Sequence, residues 1–243
     1  MYAKIEATYK IFMAFLLMSI SGIIALILKY ITFGKSTNWG SKYIVASSSR
    51  LILRIIGIRA KLPRTRDYPD EQVMYTFNHN SFLDVLILTA LGVPNTRFFL
   101  SEKTRKIIPL TISAMAIGVH YIPVKRDKKR RASFFERMTT KLKEGKESVF
   151  VASEGVHEFI HGIAPFNRGV YEMALQAKIP IQLIYIHIPK KTNMLQGYRL
   201  RPGTIKVSIF DQVVTANWAS KNLTSEIKKV RTKFINEYEK RNG

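Results

Sequence analysis

The sequence predicts an α/β fold behind an N-terminal membrane-associated helical segment, and three observations carry that expectation. An uncharged apolar run of 18 residues, "IFMAFLLMSISGIIALIL" from Ile11 to Leu28, lies near the start of the chain. After Pro63 the pattern changes to short apolar runs alternating with amphipathic ones, the signature of strands interleaved with helices. In a chain of 243 residues, a hydrophobic content of 47% is enough to bury a sizeable core.

The first run is bracketed by Lys10 and Lys29. At about 1.5 Å per residue it reaches roughly 27 Å, close to the thickness of a bilayer's hydrocarbon core. A membrane anchor is the natural reading. A secretory signal competes with it, but the run is long and no convincing small-x-small cleavage site comes after it. Lys29, Lys35, Lys42, Arg50, Arg54, Arg59 and Lys61 place an excess of positive charge beyond the run, which favours a cytoplasmic location for the rest of the chain. The segment Tyr43 to Leu62 differs, because Arg50 and Arg54 interrupt its apolar pattern at helical spacing, as in an interfacial helix. A single spanning helix and a helical hairpin lying in one leaflet both fit. Residues 1–62 are therefore expected to form the membrane-associated part and residues 63–243 the α/β domain.

Within that domain, strands are expected at Val73–Phe77, Ser148–Ala152, Ile181–Ile186 and Thr204–Phe210, each short and rich in β-branched or aromatic residues. Helices are expected at Ser133–Lys143, stopped by Gly145, and at Val170–Lys178. A third, Leu223–Tyr238, carries Leu223, Ile227, Val230, Phe234 and Tyr238 on one stripe suited to packing on a sheet.

Lys and Arg number 39 against 17 Asp and Glu, a formal net charge of +22, so an anionic partner or surface is implied. With no cysteine, the chain has no disulfides, thiolate metal sites or cysteine nucleophiles. Its chemistry must come from other side chains, and "TFNHNSFLDVLIL", residues 76–88, offers a histidine and an aspartate five positions apart. In one continuous helix His79 and Asp84 would sit roughly 140° apart and could not touch. A strand ending near Phe77, then Asn78, His79, Asn80 and Ser81 as turn and cap residues, then a helix from Phe82, would let them meet. A polar loop after a buried strand is where α/β proteins place active sites, and a histidine oriented by a carboxylate is a general base. No Gly-x-Ser-x-Gly elbow supplies a nucleophile, and Ser81 is accounted for as a cap, so the base would act on a substrate's own hydroxyl.

Four blocks, in order, make the chain resemble the glycerophospholipid acyltransferase family, typified by bacterial 1-acylglycerol-3-phosphate acyltransferase. The resemblance covers roughly residues 50–190. "NHNSFLD" has the family's His and Asp separated by four residues, led by Asn78; "GVHYIPVKR" supplies Gly118, Pro123 and Arg126; in "VASEGVHEFIHGIAPFNRG", Glu154 and Gly155 fall where the family has Pro-Glu-Gly-Thr-Arg, and Phe166, Arg168 and Gly169 match its Phe-Lys-x-Gly; in "IPIQLI", Pro180 opens a strand as the family's last block does. The resemblance implies a mixed sheet flanked by helices. It also implies that His79, held by Asp84, deprotonates an acceptor hydroxyl that attacks the thioester of acyl-CoA or acyl-carrier protein, with no metal, cofactor or covalent acyl-enzyme. Arg126, Glu154, Gly155, His157 and Arg168 are the implied acceptor-binding residues; Asn78, Gly118, Pro123, Phe166, Gly169 and Pro180 the structural ones. Membrane lipids and an anionic bilayer surface are the implied partners, with acyl-carrier protein as a further one.

In the third block Val156 and His157 replace the family's Thr-Arg. A mostly neutral imidazole does not reproduce a guanidinium clamp on phosphate. Either Arg126, Arg168 or the basic run Lys125–Arg131 takes over, or the acceptor is another lipid, such as lyso-ornithine lipid. His120 and His187 lie in apolar runs and read as core or edge residues. His157, Glu158 and His161 match the letters of a His-Glu-x-x-His zinc motif, but that motif needs a continuous helix and a third ligand, and Gly155, Gly162 and Pro165 indicate a loop. No metal is expected. Nucleic-acid binding is the rival explanation of the charge, but no binding motif accompanies the basic run, and no nucleic-acid partner is expected.

Overall fold

The computed structural model describes residues 2–79, 81, 83–155, 162–192 and 201–242. Among the described residues seven strands form one sheet: β1 (Ile58–Lys61), β2 (Met74–Phe77), β3 (Thr96–Ser101), β4 (His120–Ile122), β5 (Ser148–Ala152), β6 (Ile181–His187) and β7 (Gly203–Ile209). Their spatial order is β1-β7-β6-β2-β5-β3-β4. Among these seven strands only β6 and β7 pair antiparallel, so β6, β2, β5, β3 and β4 all run one way. The sheet is mixed, and the C-terminal ends of those five strands share one edge.

Helices cover both faces. On one side α3 (Ala46–Ile55), α4 (Leu83–Leu91) and α5 (Ile108–Ile117) enclose a core that includes Leu53, Ile87, Leu88, Phe98 and Phe150. On the other, α6 (Lys128–Glu144), α7 (Arg168–Ala177) and α8 (Leu223–Asn242) enclose Met74, Phe134, Val149, Val170, Leu183 and Phe234. β2 sits mid-sheet with every residue buried, which explains its unbroken apolar and aromatic run. The longest helix, α1 (Tyr2–Ile31), is followed by a short turn of helix, α2 (Thr37–Trp39), and a π-helical turn, Gly40–Val45. From Ile5 to Ile31 α1 is long and apolar enough to cross a membrane. It is seated against α5, where Gly22 allows the close approach: a Cβ there would lie 2.8 Å from Ser113 Oγ. Ser113 Oγ donates to the Met18 carbonyl at 3.1 Å, and Lys29 Nζ to the Met115 carbonyl at 2.6 Å.

The expected strands at 73–77, 148–152, 181–186 and 204–210 correspond to β2, β5, β6 and β7, and the three expected helices to α6, α7 and α8. The segment from Tyr43 to Leu62 does not run as one interfacial helix. It turns at Gly57, with φ +85°, and Ile58–Lys61 becomes edge strand β1, parallel to β7. Arg50 is not simply an interfacial charge either, since its guanidinium donates to the carbonyls of Ala90 (2.8 Å) and Leu91 (3.4 Å) at the end of α4. Residues before 62 therefore share a core with the rest: Ala25, Val45, Leu53 and Ile56 belong to the same buried cluster as Tyr75 and Ile87.

Candidate active site

Asn78 ends β2 and extends its ladder with a side chain instead of a backbone. Its Nδ2 donates to the Ile186 carbonyl at 2.9 Å and its Oδ1 accepts from the Ile186 N–H at 2.7 Å. That pair keeps β6 satisfied while the main chain of residue 79 leaves the sheet plane. His79 then stands at the shared C-terminal edge, its ring edge-on to Phe77. Ser81 caps the next helix: its Oγ accepts from the Leu83 N–H at 3.2 Å and α4 begins. Asp84 thus lies in the first turn of α4, where the helix dipole favours a negative charge.

The break brings the two side chains together. His79 Nδ1 lies 2.8 Å from Asp84 Oδ2, and the same oxygen accepts from the Ser81 N–H at 3.1 Å. Asp84 is 1% exposed, whereas the imidazole retains 18% of its surface. A buried carboxylate therefore orients a histidine that reaches solvent. Asn80 and Phe82 lie outside the described residues.

Glu154 follows β5 at the same edge, and its carboxylate faces inward. Oε1 accepts from the His79 N–H at 3.1 Å and Oε2 from the Ala164 N–H at 2.9 Å, in a side chain only 2% exposed. Each oxygen meets a backbone donor, so the carboxylate braces the His79 loop from below. Burial pushes this carboxyl up to about 7, against the opposing pull of the two N–H donors and of His79. Gly155 is required beside it. Its φ is +67°, and a Cβ would lie 2.2 Å from Asn167 Nδ2. That Nδ2 donates to the Glu154 carbonyl at 2.8 Å, and the Asn167 N–H to the Ser153 carbonyl at 2.8 Å.

The other motif residues divide between framework and rim. Gly118 closes α5 in the left-handed conformation, Pro123 is buried after β4 and accepts from Arg131 at 3.0 Å, and the Pro180 carbonyl accepts from Met74 N–H at 2.9 Å before β6. Phe166 stacks on Tyr171 and meets Phe234 edge-on, while Gly169 lies at the start of α7 against Phe135. Arg126 is exposed in the turn after β4, on the edge that carries His79. Arg168 is drawn elsewhere: its guanidinium donates to Thr224 Oγ1 (3.0 Å) and the Ser220 carbonyl (3.3 Å) and pairs with Glu172 (3.4 Å). Val156, His157, Glu158 and His161 lie outside the described residues. Among the described residues no cluster of three His, Asp or Glu could hold a metal.

Three supporting residues escaped sequence reasoning. Asn167, in place of the family's lysine, clamps Ser153 and Glu154; Tyr171 donates to Ser153 Oγ at 2.9 Å; Arg231 of α8 donates to the carbonyls of Ile163 and Ala164, steadying the segment whose N–H meets Glu154. Their signal in the sequence is no more than a polar residue inside or beside an amphipathic helix.

A 1-acyl-sn-glycerol-3-phosphate acyltransferase of Cocos nucifera is 19% identical over 191 residues, covering 77% of this chain and 60% of the relative. The Saccharomyces cerevisiae protein of that name is 22% identical over 186 residues, again 60% of its length. A chloroplastic one from Brassica napus, BAT2, is 32% identical over 114 residues, 46% of this chain and 32% of the relative. The chain thus spans at most about 60% of the length of these relatives. The crystal structure of the 1-acyl-sn-glycerophosphate (LPA) acyltransferase PlsC from Thermotoga maritima superposes with a TM-score of 0.78, covering 98% of this chain and 96% of that one, at 15% identity, a likeness of fold. Residues 58–187, more than half of the chain and containing all four motif blocks, match the family model described as Acyltransferase, and the chain belongs to that family.

Proposed function

We propose that this chain transfers a fatty acyl group from acyl-CoA or acyl-carrier protein to the hydroxyl of a lysolipid, 1-acylglycerol-3-phosphate, in phospholipid biosynthesis at the cytoplasmic face of a membrane. The observation that carries this reading is the 2.8 Å contact between His79 Nδ1 and Asp84 Oδ2. With Asp84 accepting from Nδ1–H, the neutral ring presents its lone pair at Nε2. Nε2 takes the acceptor's hydroxyl proton as that oxygen bonds to the thioester carbonyl carbon. The tetrahedral intermediate collapses with cleavage of the C–S bond, and the imidazolium returns the proton to the departing thiolate. Asp84 stabilises the transient imidazolium and holds the ring's orientation.

The acceptor is supported by the names of the relatives and by the exposed cations Lys103, Lys125 and Arg126 near the His79 edge, which suit a phosphate. One observation favours a second reading, an acceptor lacking that phosphate such as lyso-ornithine lipid: Val156 and His157 stand where the family has Thr-Arg. Membrane attachment is supported by α1, whose candidate spanning window is only 17% buried and exposes Phe12, Ile20, Ile24 and Ile27. An acceptor with one long chain stays in lipid, so the enzyme must work at that surface.

The test is product formation from labelled acyl-CoA with a panel of lysolipids, comparing wild type with His79→Ala. The variant should lose about 10²- to 10⁴-fold in turnover. Equal product from the two proteins would sink the assignment, and preferential use of lyso-ornithine lipid would establish the second reading.

A further inference from the structure

Away from His79, a cavity of about 310 Å³ lies between the C-terminal end of α6 and strands β3, β4 and β5. Its walls are mostly apolar, from Phe99, Met138, Leu142 and Val149, and its polar lining comes from His120, Lys141 and Glu147. Glu147 precedes β5 and Val149 is its second residue, whereas His79 follows the end of neighbouring, parallel β2, so the cavity lies toward the opposite edge of the sheet.

The charges at this cavity do not balance. Arg97 holds Glu147 Oε1 at 2.6 Å and is otherwise occupied by Asn38 Oδ1 (3.0 Å) and the Ile117 carbonyl (3.4 Å). Lys141 Nζ pairs with Glu147 Oε2 at 3.5 Å and lies 3.3 Å from His120 Nε2. Glu147 is therefore one anion shared by two cations, Arg97 and Lys141. His120 is kept neutral by burial and by neighbouring Lys141, Arg97 and Arg137, outweighing Glu147, with its pKa pushed down to about 4. Its Nε2 can then accept one Lys141 N–H, and with a second directed at Glu147 the ammonium keeps one further donor. Two cations share one carboxylate beside an apolar pocket, an excess of one positive charge.

We propose that this cavity binds the carboxylate end of a fatty acid, with Lys141 on the carboxylate and Phe99, Met138, Leu142 and Val149 around the chain. A single negative charge completes the Arg97–Glu147–Lys141 set, where a dianionic phosphate would overshoot it and leave the apolar walls unmatched. The volume sits at the lower end of small-ligand pockets, roughly 300–1,000 Å³, and suits a short chain. The site differs in place and chemistry from the His79 centre, where the acyl group is a thioester without charge.

Octanoate bearing a terminal diazirine, photolysed with the full-length protein in lipid nanodiscs and mapped by peptide mass spectrometry, tests it. Adducts are expected on Met138, Leu142 or Val149, retained in His79→Ala, and reduced at least about tenfold both in Lys141→Met and when the matching octanol probe replaces octanoate. The octanol comparison uses wild-type protein, so it decides even where the variant folds poorly. Adducts confined to α1 or the His79 loop, equal labelling by octanol, unchanged labelling of a folded Lys141→Met protein, or loss of the adduct in folded His79→Ala would each overturn the proposal.

Discussion

Asp84 Oδ2 serves two donors at once, the His79 ring and the Ser81 N–H, so its replacement by asparagine separates charge from shape. An amide oxygen in the Oδ2 position would still accept from both, but it carries no charge, so the imidazolium formed during transfer would lose the carboxylate that stabilises it. Asp84→Asn is expected to lower kcat by about 10²- to 10⁴-fold with little change in KM or in the thermal unfolding midpoint, measured side by side. Glu154 answers a different question. Its folded pKa of about 7 lies above the ordinary carboxylate value, so between roughly pH 4.5 and 7 the folded protein holds a proton that the unfolded chain releases. Stability therefore falls as pH rises through that window, by on the order of 3 kcal/mol, and levels off above it. Glu154→Gln should cost about 1–3 kcal/mol at low pH, because the amide supplies one acceptor where two backbone donors need one each, and should flatten the pH dependence. Urea unfolding at pH 5 and pH 7.5 checks both. The pairing of His79 with Asp84 could be inferred from sequence because the break and the cap are local. Glu154's inward turn could not, since its partners are a backbone N–H 75 positions earlier and another 10 positions later.

Among elements, the junction of β2 with α4 depends on two devices that fail differently. Asn78→Leu fits the space but leaves the Ile186 N–H and carbonyl without partners in a buried place, at roughly 2–5 kcal/mol. Gly155→Ala puts a methyl against Asn167 in a left-handed backbone, at about 1–3 kcal/mol. Chemical denaturation should show a larger loss for Asn78→Leu, and both variants should reduce turnover by displacing His79. The strands missed from sequence have a common cause. β1 and β4 are short edge strands, and β3, "TRFFLS", begins with a threonine and an arginine; the arginine's partners, Asn38 and Glu147, come from distant segments. An isolated charged residue in a strand argues against burial until the ion pair that compensates it is seen. The helices were better marked, because an amphipathic stripe repeats over many residues and needs no partner to be legible.

For the whole molecule, the question is how α1 meets lipid. Its seat on α5, through Gly22 and Ser113, ties the apolar helix to the α/β body, and its outward face combines with Ile107, Ile108, Trp39 and Tyr43 in a broad exposed apolar surface. Ile20→Asp with Ile24→Asp should reduce co-flotation with vesicles containing anionic lipid at least about tenfold, at roughly 2–3 kcal/mol for each buried charge, without altering the fold. Raised salt should weaken binding further by screening the +22 charge. Flotation that survives both treatments would place the membrane contact elsewhere.

Sequence alone determined the parts of this protein that depend on near neighbours: an apolar helix, the alternation of an α/β domain, and the strand, loop and helix start around His79. Periodicity, caps and turn residues act over a few positions, so the order of residues already contains them. Tertiary structure decided what brings distant positions together. It placed β1 on the sheet, turned Arg50 to the end of α4 and Arg168 to α8, and set Glu154 under His79. The physical reason is that a charged or polar side chain takes the partner that satisfies it once buried, and which partner that is depends on the sheet order that brings the strand ends to one edge.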